Sequence, residues 1–138
     1  MSSTSRARAR RPRRVPVMTQ MSSTECGAAC LAMVLSAYGH KMTVAECRER
    51  VDIGRDGVDL RRIAETARAA GMVARGVQLD SHLVGELRTP LIAHWGTSHY
   101  IVVERVTHRA VHVVDPMMGR RVLTHEEFDQ GFSGTALE

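Results

Sequence analysis

Cys26 stands at the head of an apolar run in "TQMSSTECGAACLAMVL", residues 19–35. A thiol there can attack a carbonyl carbon once it is a thiolate. A helix that begins at this point offers unpaired N–H groups and the positive end of its dipole, which lowers a thiol pKa. Gly27 follows directly, so a substrate oxyanion can come close to the Cys26 N–H. On this stretch alone the other reading stays open, in which Cys26 is one more small residue of a core. Cys30, one turn deeper, and Cys47 read as packed core thiols.

A nucleophile needs a base, and the chain has seven histidines. His99 stands apart because it opens the run "HYIVVERV" straight after the loop "WGTS". Asp115 ends the next β-rich run, "AVHVVD", and is followed by Pro116. If the two runs pair as a hairpin, the start of one lies beside the end of the other. His99 and Asp115 are then neighbours across the ladder, and the carboxylate can orient the imidazole. By pattern alone Asp115 reads equally well as a turn residue before proline. Gln20 lies on the irregular lead-in, where its amide could donate to an oxyanion or simply be surface polarity.

Other chemistries find less support. Cys26 and Cys30 form CxxxC on a helix, and His108 and His112 are read on one strand face, but no four-ligand set has zinc-site spacing. "GRDG" lacks the lysine and setting of a phosphate loop. Neither a metal nor a cofactor is expected.

These residues must be carried by regular elements. From Glu25 the pattern is helical and apolar nearly all round, so this helix is expected to be buried, with Gly39 at its end. Thr43 and Glu46 form a capping box that opens a short helix to about Arg50. "IGRDGVD" reads as a turn, and Asp59 caps "LRRIAETARAA", with Leu60, Ile63, Ala64 and Ala67 on one face and Gly71 at the end. "MVARGVQL" reads as a strand and "SHLVGELR" as a short helix. "PLIAHW", "HYIVVERV" and "AVHVVD" are strands, with "THRA" as a hairpin turn. A turn and strand in "PMMGRRVL", a capped helix "HEEFDQ" and a final strand "FSGTALE" follow. Helices first and a mostly antiparallel sheet second give an α+β domain.

Six arginines precede Val15 with no acid among them, whereas the whole chain of 138 residues is only +4. Residues 15–138 therefore carry a net −2, and the basic character belongs to residues 1–14, expected to be a disordered tail. Such a tail could touch nucleic acid or anionic lipid, but a solvated leader segment explains it as well, and no nucleic-acid partner is expected. No apolar run follows the arginines as in a secretory signal, and none is long enough to span a membrane. Three cysteines in a chain of this size point to a reducing, cytoplasmic setting rather than a disulfide scaffold.

Taken in order, Gln20, "ECGAAC", "GRDGVDLRRIAETARAAGM", "HWGTSHYIVVERV", "VVDPMMGRR" and "EEFDQGFSGTAL" closely resemble one family. It is the double-glycine leader peptidase domain at the N-terminus of bacteriocin- and lantibiotic-processing ATP-driven exporters. The resemblance runs from about Val15 to Leu137 and implies a papain-like fold. It implies Cys26 as nucleophile, His99 as general base, Asp115 as orienting carboxylate and Gln20 as oxyanion-hole amide. It also implies a substrate: a precursor peptide whose helical leader lies in an apolar groove and ends in Gly-Gly or Gly-Ala, cleaved just after that pair. The implied partners are an exporter's membrane and nucleotide-binding domains, at the inner face of the cell membrane, so the chain is expected to be an excised domain or a stand-alone one. Two departures matter. Glu25 stands where the family often has Asp, and Cys26 is kept where signal-reading inactive relatives lose it. The latter favours an active peptidase over the alternative, a non-catalytic leader-binding module that recruits cargo.

Overall fold

The computed structural model describes residues 14–22, 24–51 and 59–138. The arginine tail up to Arg13 and most of the "IGRDGVD" turn lie outside the described residues.

Helix α1 spans Cys26–Ala37, a run of Ala, Leu, Met and Cys with no interior proline, and ten of its twelve residues are buried. It ends where expected: Gly39 takes φ +90°, and the N–H of His40 reaches back to Leu35 O at 2.8 Å. Helix α2, Val44–Val51, opens on the anticipated reciprocal cap, with Thr43 Oγ1 accepting from Glu46 N–H and Glu46 Oε1 accepting from Thr43 N–H, both at 3.1 Å. Helix α3, Leu60–Ala69, is capped by Asp59, whose Oδ1 accepts from Arg62 N–H.

The strands are β1 (Gly76–Gln78), β2 (Leu91–Trp95), β3 (His99–Val106), β4 (Val111–Asp115), β5 (Gly119–Leu123) and β6 (Phe132–Leu137). They form one sheet in the order β1-β6-β2-β3-β4-β5, with antiparallel neighbours throughout. A 3-10 helix, Ser81–Glu86, joins β1 to β2, and helix α4, His125–Gly131, joins β5 to β6 behind a complete capping box at Thr124 and Glu127. Strand β1 is shorter than "MVARGVQL" suggests. Met72 N–H is spent on Ala67 O at the end of α3, and Met72 and Ala74 pack against the helices rather than lengthening the sheet.

Both faces of the sheet are covered, so the alternation along each strand feeds two cores. Ile92, Tyr100, Val102, Val114 and Leu137 meet α1 and its neighbouring helices. Leu91, Ala93, Ile101, Val103, Val111, Val113 and Leu123 meet Val84 of the 3-10 helix and Phe128 of α4. Helix α1 therefore lies along the sheet, its start beside the end of the sheet where β3 begins.

Candidate active site

The start of α1 has no side-chain cap, so its first-turn amides are not taken by a neighbouring carboxylate or hydroxyl. Cys26 is buried there, 5% exposed, and its thiol lies 3.7 Å from Ser98 O. Ser98 immediately precedes His99. Two segments 72 residues apart in sequence thus converge on one sulfur.

The β3–β4 register pairs Val102 with Val114, so one step outward Asp115 lies opposite Ile101 and His99 lies two residues further along. The two are neighbours across the ladder, as expected, on a diagonal that a long side chain and a carboxylate can span. His99 Nε2 donates to Asp115 Oδ1 at 2.8 Å. The same Oδ1 accepts from Met117 N–H at 2.8 Å, which fixes the carboxylate in its own turn. With Nε2 taken, Nδ1 is the nitrogen left for Cys26. The His99 side chain is 23% exposed and that of Asp115 only 7%, so the imidazole can meet a substrate while the carboxylate stays behind it.

The electrostatics follow from these contacts. The Asp115 hydrogen bond, then that to Cys26, pushes the His99 pKa up to about 9 against the opposing effect of burial. Burial alone would raise Asp115, but the hydrogen bonds from His99 and Met117 and the charge of His99 hold it below its ordinary value. Cys30, fully enclosed, is pushed well up by burial, then by the nearby charges of Cys26 and Asp115, while burial lifts Cys47 to about 11. Both behave as the core thiols expected.

Gln20 is tied to both walls of the site. Its main-chain N–H donates to Pro116 O at 2.9 Å, stitching the lead-in to the turn behind Asp115. Its side-chain Nε2 donates to Ser22 O at 2.8 Å, and that carbonyl also accepts from Glu25 N–H. The amide orientation is thereby fixed, because the reverse one would set two oxygens face to face. Its Oε1 is buried with no partner among the described residues.

One residue the sequence had marked only as a family departure organises this loop. Glu25 is 2% exposed; its Oε1 accepts from Met21 N–H at 2.7 Å, and its Oε2 pairs with Arg48 of α2. An acid at the head of an apolar helix is the signal that could have found it; nothing in the sequence pointed to Arg48. His108 and His112 do not share a strand face. His108 lies in the turn that Thr107 closes through Ala110, and only His112 is in β4. Among the described residues no cluster of His, Cys, Asp and Glu could hold a metal ion, and no helix is long and apolar enough to cross a membrane. A cavity of about 650 Å³ lies towards the other end of α1, between Leu31, Val34, Leu35, Met72 and Ile92, and includes none of the four candidate residues.

Residues 14–138 match the model of the Peptidase C39 family. The chain is 38% identical, over 91% of its length, to a probable microcin-H47 secretion/processing ATP-binding protein of Escherichia coli, and 36% identical over the same share to the colicin V secretion/processing ATP-binding protein of that species. It spans only 18% of the length of either relative. Among solved structures it is similar to a double glycine motif protease from an AMS/PCAT transporter in complex with the leader peptide, with a TM-score of 0.86 at 32% identity, covering 93% of this chain and 92% of that one. It also matches the peptidase domain of Streptococcus ComA, a bi-functional ABC transporter, with a TM-score of 0.81 at 27% identity, covering 88% of this chain and 95% of that one. A thiol at a bare helix start, facing an imidazole held by a buried carboxylate, is thus found in a chain that belongs to the Peptidase C39 family and is a cysteine peptidase.

Proposed function

We propose that this chain removes the N-terminal leader of ribosomally made precursor peptides by cutting after Gly-Gly or Gly-Ala, as the cytoplasmic peptidase domain of an ABC exporter. The observation that carries the reading is the connected line from Cys26 through His99 to Asp115. Cys26 attacks the carbonyl carbon of the second small residue. His99 takes the thiol proton and, with its pKa at about 9, keeps it at neutral pH until the leaving amine needs it. Asp115 fixes the imidazole without entering the reaction. The Cys26 N–H and the free hydrogen of Gln20 Nε2 hold the oxyanion, and water then releases the leader acid.

Two further points support the substrate class. The relatives named above are secretion/processing proteins, and one structural neighbour holds a leader peptide. Burial of Cys26 leaves it a narrow approach, which suits residues without bulky side chains at the two positions before the bond. The leader binds as a helix in an apolar groove, for which the cavity beside Leu31, Val34 and Met72 offers a surface. Incubation with precursors carrying Gly-Gly, Gly-Ala or Ala-Ala before the core, read by mass spectrometry, tests this. Cleavage is expected after the first two and at most weakly after the third, and Cys26→Ala is expected to bind the precursor but leave it whole. Cleavage by Cys26→Ala would sink the mechanism, and indifference to the motif would sink the substrate class.

A further inference from the structure

Gly131 is the last residue of α4, and a Cβ added there would fall inside the indole of Trp95, against Cζ2, Cε2 and Cη2. Any other residue type requires the ring to move. Gly131 also holds the backbone beside that ring: its carbonyl accepts from Gly96 N–H at 2.8 Å. Trp95 and His99 are direct partners between β2 and β3, with only Gly96, Thr97 and Ser98 between them and Gly96 at φ +62°. The indole lies 5.6 Å from the Phe128 ring, which stacks on Phe132 at 5.1 Å, and Phe132 pairs with Trp95 across β2 and β6. The α4–β6 junction therefore grips the near end of a turn by ring and by backbone. The far end of that turn carries the Ser98 carbonyl at Cys26 and the imidazole at Asp115.

We propose that Gly131 is a positioning residue for His99: its bare Cα is the seat on which Trp95 rests, and the seated indole sets where the imidazole stands relative to Cys26. This rests on the reading of His99 as the base. A methyl at 131 lifts the indole, the short turn follows, and the line from Sγ to the ring nitrogen lengthens. Displacements of about 1 Å at a reacting pair are enough to cost about 10²-fold in rate. A role confined to packing would lower stability without touching the titration of the Cys26–His99 pair.

The test uses the full chain with Gly131→Ala, Trp95→Phe, the double variant, and His99→Ala alongside. Trp95 is the only tryptophan, so its emission reports on the seat directly. The other readouts are the pH dependence of Cys26 alkylation by iodoacetamide, kcat and KM on a synthetic Gly-Gly precursor, and the thermal unfolding midpoint. Gly131→Ala is expected to shift the emission, change the alkylation profile and lower kcat by about tenfold or more, with KM within about twofold. The double variant should recover most of the lost kcat, because the smaller ring leaves room for the methyl. If Gly131→Ala does not fold, a folded double variant with near wild-type turnover supports the seat, and one that folds but stays slow overturns it. An unchanged alkylation profile in folded Gly131→Ala also overturns it. Full activity in His99→Ala would instead remove the base assignment itself, which separates the two failures.

Discussion

Asp115 holds the imidazole through the same oxygen that its own turn uses, Oδ1, which accepts from both His99 Nε2 and Met117 N–H. The carboxylate cannot swing away from the histidine without breaking its turn. Replacing it with Asn leaves the turn's acceptor in place but weakens the carboxylate hydrogen bond that most lifts His99 and removes the charge that adds to it. The sign is set by that lift. A histidine with its pKa raised to about 9 keeps its proton, and the stability the ion pair adds, through neutral pH, and loses both as pH rises through that value. The depressed Asp115 works at the other end, its contribution disappearing as pH falls into and below the carboxylate range. Wild-type kcat/KM is therefore expected to fall above about pH 9, and Asp115→Asn to move that limb to lower pH while slowing turnover by about 10²-fold or more; pH-rate profiles of the two proteins check this. Wild-type rates in Asp115→Asn would take the residue out of the site. His99 and Asp115 could be brought together from sequence because hairpin closure is a local rule, whereas Cys26 was marked by its place at a helix start. Gly131 could not be singled out, because a glycine at the end of a seven-residue helix looks like any helix stop until the indole behind it is seen.

At the level of elements, the lead-in is a strap fastened at both ends. Val15 is buried, its N–H donates to Glu104 Oε2, and its carbonyl is held by Arg120, which also pairs with Glu104. At the other end Gln20 is fixed to Pro116, and Glu25 then anchors the loop to Arg48 across to α2. Arg48→Met leaves the Glu25 carboxylate buried with its Met21 contact but without its cation. Because the Arg48 side chain is itself half exposed, the expected loss is modest, about 1–2 kcal/mol in urea unfolding. Turnover should drop more than KM rises, since the loop that shakes loose is the one carrying Gln20; equal changes in both would argue that Gln20 serves binding rather than the oxyanion. Helices α2, α3 and α4 were legible from their caps, as Thr43–Glu46, Asp59 and Thr124–Glu127 all fall where the residues place them. Strand β1 was over-read because alternation in "MVARGVQL" cannot reveal that Met72 is needed by α3. The Arg48 contact was invisible, one arginine among several charges on α2.

On the scale of the molecule, charge and chemistry are separate. The line from Cys26 to Asp115, the strap and both cores lie within residues 15–138, whose net charge is −2, while six arginines precede them. Deleting residues 1–13 is expected to leave kcat, KM and the thermal midpoint unchanged; a large loss in any of them would give the basic segment a part in the peptidase. Deletion beyond Val15 should fail differently, by removing a core residue and the first anchor of the strap. The sheet order could not be read from the sequence, because strand patterns carry no partner list, and β6 enters the middle rather than an edge, between β1 and β2. That insertion has a consequence for the newborn chain. On the ribosome, at about 5–20 residues per second, roughly ten seconds separate the emergence of Cys26 from that of Leu137. Until β6 emerges, β2 can pair only with β3, and Trp95, at the near end of the turn before His99, has no Phe132 beside it. The last strand made, not the helix that carries the thiol, is therefore what completes the sheet around the site during synthesis.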